Sequence, residues 1–241
     1  MAINNIDTFV IRAKEGTYNA DKLVPTSKYD HINAWIDRKN GDLYLRVSAK
    51  VLKTHDDLGS ITSTYNVAQL PPIIMSATGV EISAETLINS RLTGVDIKKD
   101  IEFDEPLPYV ISALREMASI STSKNEILTY YSEVGYENSL LIKSTHKTVK
   151  DSLCIYNKFN EMYAKRNYDG GYYYSLSDKL EKRYKKVLRF ERRIQRANAL
   201  RKALKVPKGE TVTLQHVLEC KDDAVGNKVN SLTGNEIGGI E

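Results

Sequence analysis

Two stretches decide how this chain reads: Ile155-Tyr156-Asn157-Lys158, running on to Glu161, and Arg189-Phe190-Glu191-Arg192-Arg193-Ile194. Each alternates apolar and ionisable residues at the two-residue period of a β-strand. That period sets Tyr156 with Lys158, and Arg189 with Glu191, on one face of a sheet. A sheet face carrying a phenol, an ammonium, a guanidinium and a carboxylate makes a poor core. It suits phosphodiester chemistry, which needs a nucleophile, charge neutralisation at phosphorus and often a divalent ion held by oxygen and histidine ligands.

Working outward, residues 32 to 36 and 43 to 48 alternate on either side of Arg38-Lys39-Asn40-Gly41-Asp42, and the Asn-Gly pair predicts a hairpin. Thr8 to Arg12, Val95 to Phe103, Ser139 to Ile142, Ser152 to Phe159 and Val187 to Arg193 read as further strands; the second has Asp96, Lys98 and Asp100 on one side. Ala49 to Leu58 is a connecting segment containing His55, and Pro71-Pro72 reads as a break. Ser83 is an expected N-cap for a helix from Ala84. Pro106 and Pro108 precede a helix through about Ser119, in which Val110, Ile111, Leu114 and Met117 recur at helical spacing. Leu176 to Arg183 predicts a basic helix, and Ala197 to Leu204 one stopped by Pro207. Tyr130-Tyr131 falls near an expected helix end, and Trp35 alternates with apolar neighbours as a core residue would. After about Cys220 the chain is rich in Gly, Asn, Asp and Ser with little periodicity, which predicts fraying or the start of a further region. The order of elements indicates an α+β fold, a mostly antiparallel sheet with helices on one face, over residues 1–210, followed by a flexible tail over 211–241.

At 241 residues and 41% hydrophobic, the chain can bury a sizeable core. It holds no run of about 18 or more apolar residues, and its start lacks the basic flank and apolar stretch of a signal segment, so a cytosolic protein without a membrane partner is expected. Cys154 and Cys220 form no zinc pattern; Cys154, between Leu153 and Ile155, reads as a buried thiol. The formal charge of +4 hides an asymmetry. Residues 139 to 208 hold 19 of the 35 Lys and Arg but 6 of the 31 Asp and Glu, a balance of +13 against −9 for the remainder. So much positive charge in one segment must spread out or meet an anion, and nucleic acid is the obvious one. A solvated helix face is the alternative reading of Lys179 to Lys186.

A tyrosine nucleophile is useful where an enzyme must hold a DNA end covalently and return it, because the phosphotyrosine bond conserves the energy of the broken linkage. Tyr156 fits that role, with Lys158 to stabilise a phenolate or transition-state charge; a packed strand tyrosine fits the spacing as well. The chain has 15 tyrosines. Among them, Tyr172-Tyr173-Tyr174 after Gly170-Gly171 reads either as a loop that stacks on unpaired bases or as a packing patch. His55, Asp96 and Glu191, each on or beside an expected strand, are the candidate metal ligands, without a diagnostic local spacing. His31, His146 and His216 are isolated in sequence.

Leu45-Arg46-Val47-Ser48-Ala49-Lys50-Val51-Leu52 with His55 beyond it, Val95-Asp96-Ile97, the Tyr156/Lys158/Glu161 stretch and Val187-Leu188-Arg189-Phe190-Glu191-Arg192-Arg193-Ile194 stand in this order. In that order, from about residue 8 to 207, the chain resembles the gene-two family of rolling-circle replication initiators of filamentous phages. The resemblance implies a fold related to other rolling-circle initiators and relaxases, acting in the bacterial host cytoplasm. The implied activity is a site-specific nickase that cuts one strand at a replication origin, keeps the 5′ phosphate as a phosphotyrosine and rejoins the strand. It further implies a need for Mg²⁺ or Mn²⁺, origin DNA as single strand or supercoiled duplex, and host helicase and polymerase as partners. Tyr156 then matches the nucleophile and Lys158 its companion. His55, Asp96 and Glu191 match the family's histidine, aspartate and glutamate, and ligand chemistry together with the resemblance assigns them to the metal; Lys50, Lys182, Arg183, Arg189, Arg192 and Arg193 are the cations assigned to DNA. The chain departs from the pattern in lacking a His-hydrophobic-His pair and in having Gly94-Val95 where Arg-Ile is expected. Without catalysis, the same residues suit a DNA-binding regulator or a single-strand-binding protein.

Overall fold

The computed structural model describes residues 4–26, 31–52, 60–121, 125–131, 137–145, 150–165 and 182–233. His55, Tyr172 to Tyr174 and residues 176–181 of the expected basic helix lie outside them; Lys182–Tyr184 form a helical turn. The fold is α+β, with a large antiparallel sheet and helices. Its strands are β1 (Asn5–Ala13), β2 (Ile32–Ile36), β3 (Leu43–Ser48), β4 (Arg91–Glu102), β5 (Asn125–Tyr131), β6 (Glu137–Ser144), β7 (Lys150–Asn157) and β8 (Val187–Gln195). They are hydrogen-bonded in the order β2-β3-β1-β4-β8-β7-β6-β5. The contacts divide into two compact units, Met1–Ile97 with Ile194–Ala224, and Lys98–Arg193 with Val225–Glu241.

In the first unit, the expected hairpin forms between β2 and β3, which pair antiparallel from Ile32↔Val47 to Ile36↔Leu43. Asp37 N–H donates to the Asp42 carbonyl at 2.9 Å, Gly41 N–H donates to the Asp37 carbonyl at 2.9 Å, and Gly41 supplies the left-handed φ of 68° that the turn needs. β1 pairs antiparallel with β3, and the alternation buries Phe9, Ile11, Leu43, Leu45 and Val47 on one side. Helices α1 (Thr64–Ala68), α2 (Leu70–Thr78) and α3 (Ala84–Asn89) follow. Ser83 caps α3 as expected, its hydroxyl accepting from Thr86 N–H at 3.0 Å. Pro71 and Pro72 start α2 and do not break the chain: in the first helical turn a missing N–H costs no intrahelical bond. Trp35 is not core; it is 45% exposed and stacks on Tyr44, because β2 alternation points it away from the buried side.

In the second unit, β6 pairs antiparallel with both β5 and β7, so Leu140 lies opposite Ile155, and Ile142 opposite Leu153, all buried. Helix α4 (Leu107–Ser121) packs against these three strands and buries Leu107, Ile111 and Ala118. Tyr130 and Tyr131 end strand β5, where a helix end was expected, and both are exposed. Helices α5 (Lys158–Lys165), α6 (Ala197–Ala203), α7 (Leu214–Glu219) and α8 (Ala224–Thr233) complete the described chain.

The described part of the segment after Cys220, expected to fray, thus carries a helix over Ala224–Thr233. Val225, Val229 and Leu232 of α8 are buried at helical spacing, a pattern that the polar residues between them hide in sequence. Lys228 of α8 donates to Asp151 at 3.4 Å, and Arg192 holds the same carboxylate with two hydrogen bonds of 3.0 and 2.8 Å. Burial alone would raise Asp151, but hydrogen bonding and charge from Arg192, then Lys228, outweigh it and hold the carboxyl below its ordinary value.

Two stability outcomes follow from these contacts. Gly41→Ala places a side chain in the left-handed region and is expected to cost about 1–2 kcal/mol, with a fall in Tm of about 2–8 °C; Gly41→Asn, which tolerates that region, loses less. Because the native Asp151 value is depressed, its contribution is complete above the ordinary value of 3.8 and is lost as pH falls through the native one. Asp151→Asn is therefore less stable at neutral pH and loses less stability on acidification below about pH 4, as followed by circular dichroism.

Candidate functional site

Strand β8 is buried from Val187 through Arg192, so each charged residue in it must be paired or the strand would not form. Alternation puts Arg189, Glu191 and Arg193 on one side, and Arg192 with Leu188, Phe190 and Ile194 on the other. Arg189 is 2% exposed and grips Asp100 of β4 bidentately, Nε to Oδ1 at 2.6 Å and Nη2 to Oδ2 at 2.7 Å. On the other side, Arg192 holds Asp151.

Tyr156 belongs to β7, where it lies opposite Ser139 and on the face away from the buried Leu153 and Ile155. The residue as a whole is half-buried. The hydroxyl donates to Glu191 Oε2 at 2.6 Å, and Arg193 Nε donates to Glu191 Oε1 at 2.6 Å. The Arg193 side chain is 45% exposed. Burial first, then the negative charge of Glu191, push the phenol well above its ordinary value, against a smaller opposing effect of Arg189. Tyr156 therefore stands at neutral pH as a protonated hydroxyl aimed at a carboxylate.

Lys158 does not share the strand face with Tyr156. The strand ends at Asn157, whose Oδ1 accepts from Asn160 N–H at 3.2 Å and so starts helix α5 as an N-cap. Lys158, the first residue of that helix, is fully buried, and its ammonium pairs with Glu161 at 2.8 Å, one turn on. The partner of the Tyr156 hydroxyl is thus Glu191. Asn157 with Asn160 is the signal in the sequence that the strand-like alternation through Lys158 masks.

Of the metal candidates, His55 lies outside the described residues, Asp96 is on β4 in the first unit, and Glu191 is on β8 in the second. Both Glu191 oxygens are committed to protein donors, and among the described residues no group of three or more His, Cys, Asp or Glu converges. Among the cations assigned to DNA, Arg189 and Arg192 are buried in ion pairs, whereas Lys182, Arg183 and Arg193 are exposed and Lys50 is half-buried in a short 3₁₀ turn, Ala49–Leu52. His216 is not isolated: its Nδ1 lies 2.8 Å from the Thr213 hydroxyl and its Nε2 2.9 Å from Glu210 Oε1, a capping arrangement for α7. Asp100 and Asp151 carry the two buried arginines, and neither role was assigned from sequence; the Asp96-Lys98-Asp100 alternation was the available signal for the first. No helix among the described residues is long and apolar enough to cross a membrane.

No family model matches the chain, and no curated protein matches it. Among solved structures it is similar to a rolling circle replication initiator protein from Geobacillus stearothermophilus, at 11% identity and a TM-score of 0.44, over 81% of this chain and 75% of that one. At that score the layouts of strands and helices agree only coarsely, and no residue of one chain is equated with a residue of the other.

Proposed function

We propose that the chain is a rolling-circle replication initiator, a single-strand endonuclease and strand transferase that uses Tyr156 as its nucleophile. The observation that carries this reading is the 2.6 Å hydrogen bond from the Tyr156 hydroxyl to Glu191. It adds to the resemblance of residues 8 to 207 to the phage initiators. A phenol held protonated is a weak nucleophile until a base takes its proton. Glu191 stands in position to do so as the phenolic oxygen bonds to phosphorus. The phosphorus–O3′ bond breaks, its electron pair leaves on the 3′ oxygen, and that oxygen takes up a proton from water. The product is a 5′ phosphate on Tyr156 and a 3′ hydroxyl, and reversal of the step rejoins the strand.

Arg193, half-exposed beside Glu191, neutralises charge at the phosphate, while the Asp100–Arg189 pair fixes the strand on which Glu191 stands. Lys182, Arg183 and Lys50 contribute to holding the DNA, and Lys158 acts through the start of α5. A requirement for Mg²⁺ or Mn²⁺ is part of the proposal, carried by the resemblance alone. The implied setting is the host cytoplasm, with host helicase and polymerase following the nick. One observation favours a second reading, a DNA-binding regulator without catalysis: the Tyr156 hydroxyl and Arg193 both donate to Glu191 and occupy its two oxygens.

A nicking assay on supercoiled plasmid bearing the cognate origin, with and without Mg²⁺ or Mn²⁺, separates the two. Ion-dependent conversion to open circles supports the initiator; salt-sensitive binding without nicks supports the regulator. Tyr156→Phe is expected to abolish covalent capture of a labelled origin oligonucleotide, and an undiminished adduct would exclude this nucleophile. Glu191→Gln is close in size but removes the base, and its one acceptor oxygen keeps only one of the two hydrogen bonds, so nicking is expected to slow about 10²–10⁴-fold. An unchanged rate would remove Glu191 from the chemistry.

A further inference from the structure

Three residues stand in one cross-strand row of the first unit: Arg12 of β1 is paired with Tyr44 of β3, and Tyr44 with Trp35 of β2. The indole and phenol rings are stacked, 5.4 Å between centroids and 8° between planes, and the Arg12 guanidinium lies 5.8 Å from the Tyr44 centroid. Such a row is a preformed surface of π faces, fixed by strand register and by the cation at its inner end. It ends at β2, the outermost strand among the described residues, so among these the indole face turned away from Tyr44 has no strand beside it, and nearly half of Trp35 meets solvent. The other side of these strands buries Phe9, Ile11, Leu43, Leu45 and Val47, so nothing in the core requires Trp35 where it stands.

The charge around the row suits an anion. Arg46 lies two residues from Tyr44 on the same side of β3, half-buried and without an ion pair among the described residues. Arg38 and Lys39 are exposed in the turn that follows Trp35. Against these four cations, counting Arg12, stand three carboxylates, Asp42 on Arg12, Asp37 in the turn and Glu15 against Gly41. An aromatic shelf bordered by arginines and a lysine fits one class of partner, in which flat π faces alternate with phosphates at short intervals. Duplex DNA offers the phosphates but keeps its base faces stacked.

We propose that the Trp35–Tyr44 row, with Arg46 and the Arg38-Lys39 turn, binds single-stranded DNA by stacking an unpaired base on Trp35. The site uses none of the residues proposed for the nick and needs neither the nick nor a metal ion.

Trp35 is the sole tryptophan of the chain, so its emission reports on this site alone. The titration uses full-length Tyr156→Phe protein in EDTA, which removes the proposed strand cleavage from the measurement. Expected are saturable quenching by a single-stranded oligodeoxynucleotide, weak or absent quenching by its duplex, and none by an abasic oligonucleotide of the same length. Trp35→Ala should bind a labelled single strand about ten-fold more weakly by anisotropy, Trp35→Phe should retain most of the affinity, and Arg46→Ala should weaken binding and flatten its salt dependence. The proposal is overturned if the single strand binds without changing the emission, if duplex or abasic strand quenches equally, or if Trp35→Ala binds as tightly as the parent. It is overturned too if emission shifts with protein concentration alone, which would assign the exposed edge strand to a second copy of the chain.

Discussion

The constraint on which the second unit depends is that β8 carries Arg189 and Glu191 inside the protein, two positions apart on one face. A buried cation or anion left without a partner costs several kcal/mol, about 3–5 when one member of a buried pair is removed. Each charge therefore dictates what stands next to it. Arg189 requires a carboxylate on one side of the strand and receives Asp100 from β4. Glu191 requires donors and receives the Tyr156 hydroxyl from β7 and the Arg193 guanidinium from its own strand. The position of Tyr156 is in this sense a consequence of the charge on Glu191.

The same constraint separates the two sides of the sheet in that unit. Leu140, Ile142, Leu153 and Ile155 form an apolar layer where α4 packs, while Tyr156 turns the other way, toward charge. Burial and a nearby anion keep the phenol protonated, which distinguishes this arrangement from one in which a lysine would stabilise a phenolate in advance. In the proposed reaction nucleophile and base act as one hydrogen-bonded pair, and reversibility comes with it, since the proton held on Glu191 is returned when the strand is rejoined.

Much of this was legible in the residues. The β2–β3 hairpin follows from Asn40-Gly41 between two alternating runs, and the start of α3 from Ser83, because turn and cap chemistry act over a few residues. The Arg189/Glu191 face follows from period-two alternation. What was hidden depended on tertiary context or on a competing local signal. Lys158 continued the alternation, but the Asn157 cap ended the strand first. Trp35 looked apolar enough for the core, yet register turned it outward on an edge strand, and α8 looked disordered because its buried valines and leucine are spaced among polar residues. The partners Asp100 and Asp151 lie 89 and 41 residues from the arginines they bind, a distance that no local pattern encodes.

The most direct test of the central claim is peptide mapping of the covalent species formed on a single-stranded origin oligonucleotide. If Glu191 activates the phenol it binds, the nucleotide adduct is found on the peptide containing Tyr156 and is absent from the other 14 of the 15 tyrosines. An adduct on Tyr130, Tyr131 or the Tyr172-Tyr173-Tyr174 segment, with Tyr156 unmodified, would contradict the account.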